Sequence, residues 1–176
     1  MSRDSALVTT DWVTENLKNP QVVFVEVDED TTLYEQGHIE GAITFHWRDD
    51  LQDGLVRDLV SKEKFEALLS KNGIANDTTV VLYGGNNNWF ATYAYWYFKI
   101  YGHQDVRLID GGRKLWELKS LPLVKEVPAR AATRYVAKER DNSIRAFRDE
   151  VIAAELFGPD ISIDSSERMG DLIAIA

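Results

Sequence analysis

The sequence predicts an α/β fold, a mostly parallel sheet with helices on both faces, and three observations carry that expectation. Short β-branched runs recur along the chain, at residues 22–27 (VVFVEV), 79–83 (TVVLY) and 106–109 (VRLI). Helix-sized segments separate them, which implies βαβ crossovers and therefore parallel neighbours. The run 79–83 is apolar almost throughout, the pattern of a central strand covered on both sides.

Each element follows from its local chemistry. The strand at 22–27 is bounded by Pro20 and by the acidic group Asp28, Glu29 and Asp30. A shorter strand, 42–45, follows Gly41. Ser61 is placed to cap a helix over 62–70, with Phe65, Leu68 and Leu69 on one face and Gly73 as its stop. Residues 89–101 form an aromatic helix stopped by Gly102. Gly111 and Gly112 turn the strand 106–109 into a short helix around Leu115 and Trp116. This unit closes near Leu121, Pro122 and Leu123, giving a first domain over 1–124. Residues 125–143, charged and rich in Ala and Arg, read as a linker. Residues 144–176 read as the start of an incomplete second domain, with a helix over 148–156 and a strand-like pattern at 161–164. That stretch is too short for its own core, since units below about 40 residues need metals or disulfides. Its apolar end is expected to pack on the first domain or to drive self-association.

Composition narrows the function. The net charge of −9 opposes a phosphate backbone and no basic run offsets it, so neither nucleic acid nor an anionic membrane is an expected partner. No apolar stretch approaches the roughly 20 residues of a membrane helix, and the N-terminus lacks a signal core, so a soluble, cytoplasmic protein is expected. There is no cysteine in the 176 residues. That excludes disulfides, thiolate metal sites and a cysteine nucleophile in this polypeptide. His38, His46 and His103 show no ligand-like spacing and are expected at surfaces or turns, with no metal and no cofactor.

Three segments stand out: 34–43 (YEQGHIEGAI), the strand–loop–helix 80–89 (VVLYGGNNNW), and 108–116 (LIDGGRKLW). In this order and spacing they resemble the rhodanese (thiosulfate sulfurtransferase) family. The resemblance covers Leu7 to about Val124 and continues faintly through 144–151 and Asp164, where a tandem rhodanese would begin its second domain. It is similar above all to the first domain of bacterial two-domain members, truncated early in the second. The resemblance implies a rhodanese-like fold whose first domain keeps the architecture while the second carries the nucleophile. In intact relatives a cysteine persulfide would pass sulfur from thiosulfate, a small anionic substrate, to a thiophilic acceptor such as cyanide.

The family's active loop opens with cysteine just after a strand like 79–83. That position is Gly84, and the arginines that would follow fall at Gly85 and Trp89. A thiolate is the reactive form, favoured by a helix N-terminus and nearby cations, and no group here replaces it. The expectation is an inactive chain. Gly84, Gly85, Asn86, Asn87, Asn88, Trp89 and Phe90 are the candidate site residues, either a ligand-free turn or a residual anion nest. Trp89 and Phe90 either pack in the core or form a wall facing a second rhodanese domain. Glu26, Asp28, Glu29 and Asp30 read as a solvated loop, and Arg113 and Lys114 as exposed helix charges. The alternative function is a pseudo-enzyme rhodanese module acting in protein binding.

Overall fold

The computed structural model describes residues 3–55 and 58–157. Five parallel strands form one sheet: β1 (Leu7–Val8), β2 (Val22–Asp28), β3 (Ile43–His46), β4 (Thr79–Tyr83) and β5 (Val106–Ile109), in the order β1-β5-β4-β2-β3. Around it lie α1 (Arg3–Ala6), α2 (Thr10–Asn16), α3 (Thr32–Gln36), α4 (Trp47–Leu51), α5 (Lys62–Lys71), α6 (Trp89–Ile100), α7 (Gly112–Leu118) and α8 (Arg148–Phe157). The order places β4 between β2 and β5, so the loop leaving β4 opens at the middle of the sheet.

Alternation along the strands splits the core into two layers, as the two-residue period of a strand requires. Val23, Val25, Val27, Val80 and Leu82 face one side, where Phe65 of α5 and Phe98 of α6 meet them. Phe24, Val81, Tyr83 and Ile109 face the other, against Val13 of α2, Tyr34 of α3 and Trp116 of α7. Ile39 and Ile43 are both buried, one in each layer. Ser61 caps α5 as expected, its side chain accepting from the Lys64 amide.

Several expectations change. The strand anticipated at 42–45 runs Ile43–His46, because the Ala42 amide is committed to the Ile39 carbonyl in a turn at 2.9 Å. His38 and His103 are buried rather than superficial. Each is satisfied by carbonyls or a hydroxyl: His38 by Tyr34 O and Glu126 O, His103 by Thr78 O and the Tyr135 hydroxyl. Glu26 and Asp28 are not in a solvated loop; they are buried residues of β2, while Glu29 and Asp30 are exposed. Arg113 is buried as well, and Lys114 is exposed.

The segment read as a linker lies against the first unit. Tyr135 and Ala137 enter the core layer of α5 and α6. The backbone of this strap is caught by side chains: Asn76 grips both the amide and the carbonyl of Val136, and Glu66 accepts from Ala137 N–H at 2.9 Å. Arg140 donates to the Leu59 and Val60 carbonyls. The helix expected at 148–156 is α8, Arg148–Phe157. The strand-like pattern at 161–164 and the apolar end lie outside the described residues.

Candidate functional site

The loop after β4 is built from Gly84 to Asn88 and delivers the chain into α6. Tyr83, the last residue of β4, is fully buried and its hydroxyl accepts the Ile39 amide at 3.1 Å. Asn86, Asn87 and Asn88 all adopt left-handed backbone angles, with φ of 47°, 54° and 65°. Asparagine tolerates this region better than most side chains, and three in succession reverse the chain within one short turn.

Asn88 is the buttress. Its Oδ1 accepts from the Gly84 amide at 3.1 Å and its Nδ2 donates to the Ile109 carbonyl at 2.8 Å, so one side chain ties the ends of β4 and β5 together. Gly112 is glycine for this reason: a Cβ there would collide with the Asn88 amide group, and its φ is 54°. Gly84 is equally enclosed, since a Cβ on it would run into the Val27 carbonyl.

The Gly85 amide points at the carboxylate of Asp28, at 3.1 Å from Oδ1 and 2.9 Å from Oδ2. Asp28 is only 4% exposed. Burial raises its carboxyl above the usual aspartate value, while the Gly85 hydrogen bond and the Arg113 charge oppose that rise.

Behind the loop sits an ionic core. The Arg113 amide donates to the Gly84 carbonyl at 3.2 Å. Its guanidinium donates to Glu26 Oε1 at 2.7 Å, to the Gly37 carbonyl at 2.7 Å and to Glu117 at 2.8 Å. Glu26 is 1% exposed and its second oxygen, Oε2, has no hydrogen-bond partner. Burial pushes its carboxyl upward, with the Tyr83 hydroxyl and Arg113 favouring the charged form. This network joins the loop to the segment 37–43, so the three sequence motifs meet in space.

The candidate residues separate into distinct roles. Gly84, Gly85 and Asn88 hold the turn; Asn86, Asn87 and Trp89 face outward, Trp89 being 61% exposed. Phe90 turns inward and packs on Trp47 at 5.3 Å between ring centroids, so it forms no outer wall. Sequence reasoning missed Glu26, Asp28 and Arg113. A signal existed: a carboxylate inside a doubly covered apolar run needs a buried cation, and Arg113 follows the Gly-Gly turn that returns to the same sheet end. Among the described residues no group of three His, Cys, Asp or Glu side chains could hold a metal ion, and no helix is long and apolar enough to cross a membrane.

Chemically, the loop offers amides and glycines. No side chain of residues 84–90 is a nucleophile for sulfur or a cation.

Comparison with known proteins agrees with this architecture. Residues 9–119 match the rhodanese-like domain family. A relative from Mycolicibacterium smegmatis, provisionally named a thiosulfate sulfurtransferase, is 66% identical over 154 residues, 88% of this chain and 56% of that protein. The sulfur carrier protein TtuD of Thermus thermophilus is 53% identical over 146 residues, 83% of this chain and 51% of that protein. The chain thus spans about half the length of the curated relatives it matches. In structure it is similar to the 3-mercaptopyruvate sulfotransferase SseA of Escherichia coli, with a TM-score of 0.76 at 21% identity over 86% of this chain and 62% of that one. That likeness concerns the fold.

Proposed function

The chain belongs to the rhodanese-like domain family, and we propose that it is the nucleophile-free half of a two-domain sulfurtransferase of the thiosulfate type. The carrying observation is the loop at Gly84–Asn88: it keeps the strand-to-helix geometry at the centre of the sheet, yet contains no atom that can accept sulfur. The share of the relatives' length that the chain covers supports a division into this domain, the strap over 125–143 and a second rhodanese-like domain beginning near residue 144.

The chemistry assigned to the whole protein is a double displacement. A thiolate of the second domain attacks the outer sulfur of thiosulfate, the S–S bond breaks and sulfite departs, leaving a persulfide. Cyanide or another thiophile then takes the outer sulfur, as thiocyanate in the case of cyanide, and the thiolate returns. This domain contributes no covalent step. Its part is a wall: the outward side chains Asn86, Asn87 and Trp89 face the second domain across the site, Trp89 supplying a large, rigid apolar surface with a polar edge.

Two measurements test this reading. Purified chain with thiosulfate and cyanide is expected to give no thiocyanate above the buffer rate; thiocyanate formation, or a persulfide mass on this chain, would overturn it. In the longer protein, comparison with Trp89→Phe isolates the emission of Trp89. That emission should be blue-shifted and shielded from iodide relative to the same difference in this chain. An equally exposed Trp89 in both would remove the wall.

A further inference from the structure

We propose that Asp28 is an internal anion that closes the Gly85 amide, at the mouth of the loop after β4, to sulfur oxyanions, in a domain that also lacks a nucleophile. The inference rests on the reading of Gly84–Asn88 as a nucleophile-free sulfurtransferase loop and adds a cause for its silence toward thiosulfate and sulfite.

Four loop donors carry the inference, the amides of Gly84, Gly85, Asn88 and Trp89. An oxyanion held at a strand-to-helix loop needs convergent N–H groups that are free to turn toward it. Here the Gly84 amide is committed to Asn88 Oδ1, the Asn88 amide to the Gly85 carbonyl at 2.9 Å, and the Trp89 amide to the Asn86 carbonyl. The Gly85 amide is taken by both oxygens of Asp28. The carboxylate is packed as well as bonded: a Cβ on Gly85 would sit 3.3 Å from Asp28 Oδ1. An entering dianion would therefore have to displace a carboxylate that is 96% buried, or approach its negative charge in a setting where water screens it poorly. No cation of the loop helps, because Arg113 spends its guanidinium on Glu26, Glu117 and the Gly37 carbonyl.

Asp28 is the strand residue at this position by register. It lies two residues beyond Glu26, the partner of Tyr83, so β2 extends past the end of β4 and lays its terminal carboxylate across the mouth of the loop. The same strand thus supplies two carboxylates of different duty: Glu26 neutralises Arg113 beneath the loop, and Asp28 fills the loop itself.

The test follows the Gly85 amide by proton–nitrogen correlation spectra of the labelled chain, titrated with thiosulfate and with sulfite against chloride at matched ionic strength. The wild-type amide should show no saturable shift. Asp28→Ser, which vacates the position, should show a saturable shift with at least tenfold tighter binding than any wild-type response. Asp28→Asn removes the charge, keeps the shape and provides the folded variant should the serine chain not fold; it should bind measurably but more weakly. Saturable binding at Gly85 in the wild type would overturn the proposal, as would silence in the folded variants. Neither result bears on thiocyanate production, so failure here is separable from failure of the functional reading.

Discussion

Removing the cation beneath the loop should expose how much of the domain rests on one buried ion pair. In Arg113→Met the aliphatic stem is retained while Glu26, 1% exposed, loses its 2.7 Å partner. Breaking a buried pair from one side costs about 3–5 kcal/mol. The structure sets a ceiling on the charge part, because Glu26 can take up a proton instead. At pH 7 that means protonating a group whose ordinary value is 4.5. Two and a half pH units at about 1.36 kcal/mol each give about 3.4 kcal/mol. Loss of the hydrogen bond to the buried Gly37 carbonyl adds about 1 kcal/mol. The expected deficit is therefore at most about 4 kcal/mol at pH 7. At pH 5 the proton costs only about 0.7 kcal/mol, and the deficit should shrink to about 2 kcal/mol. The sign follows from linkage: a carboxyl raised by folding binds more protons in the native state, so its contribution to stability falls as pH rises through its folded value. Urea unfolding at the two pH values, with the slope compared as a check on two-state behaviour, measures both numbers. A deficit below about 1 kcal/mol, or one equal at pH 5 and pH 7, would refute the reasoning by showing Glu26 to be solvated. Glu26→Gln in the Arg113→Met background should recover most of the charge part.

Three further outcomes are expected. Gly84→Cys should not create a sulfurtransferase: the added Cβ meets the Val27 carbonyl, so the chain should lose about 1–3 kcal/mol in a urea melt and form no thiocyanate from thiosulfate and cyanide. Tyr135→Ala should cost about 3 kcal/mol, because this strap residue is 3% exposed, packs edge-on against Phe65 and meets His103; an unchanged urea midpoint would show the strap to be detached. His103 is held below its ordinary value of 6.5, first by burial. A base lowered by folding leaves the unfolded chain binding more protons, so stability is lost as pH falls from about 6.5 through the lower folded value. His103→Gln should flatten the stability profile in that window relative to the wild type, and an unaltered slope between pH 7 and pH 5 would contradict it.

How much of this was legible in the sequence depended on the range of the interaction. The strands Thr79–Tyr83 and Val106–Ile109 were readable to the residue, because a strand covered on both faces writes its burial directly into an apolar run. The helix Trp89–Ile100 was readable within one residue, its end marked by Gly102 with φ of 72°. The two-residue strand Leu7–Val8 left no periodicity to read, though it holds the sheet edge beside β5. The charged residues failed as a class. Reading Glu26, Asp28 and Arg113 as solvated is the right default for single charges, and it breaks when partners are distant: Glu26 and Arg113 are 87 residues apart, Asp28 and Gly85 57. The strap was opaque for another reason. It is held by side chains gripping backbone, as Asn76 grips Val136, and such contacts carry no period of 2 or 3.6.

The same contacts that keep the loop in shape also occupy two of its backbone donors. A loop that binds an anion must hold its backbone donors in place and still leave them unoccupied, which requires support from outside the donor set. Here the support and the occupation coincide. Asn88 buttresses Gly84 by consuming its amide, and Asp28 fixes Gly85 by consuming the next. Arg113 steadies Gly84 through its own amide while its guanidinium is neutralised below. A cysteine alone would therefore meet a loop with no room for its Cβ, Gly84 and Gly85 amides already committed, and no cationic side chain in residues 84–90 to stabilise the thiolate. Converting this domain into a sulfur-transfer site needs at least three coordinated changes, at Gly84, at Asp28 and at a position able to present a cation. Each of the first two disturbs a contact on which the turn depends, so stability and reactivity oppose each other at this loop.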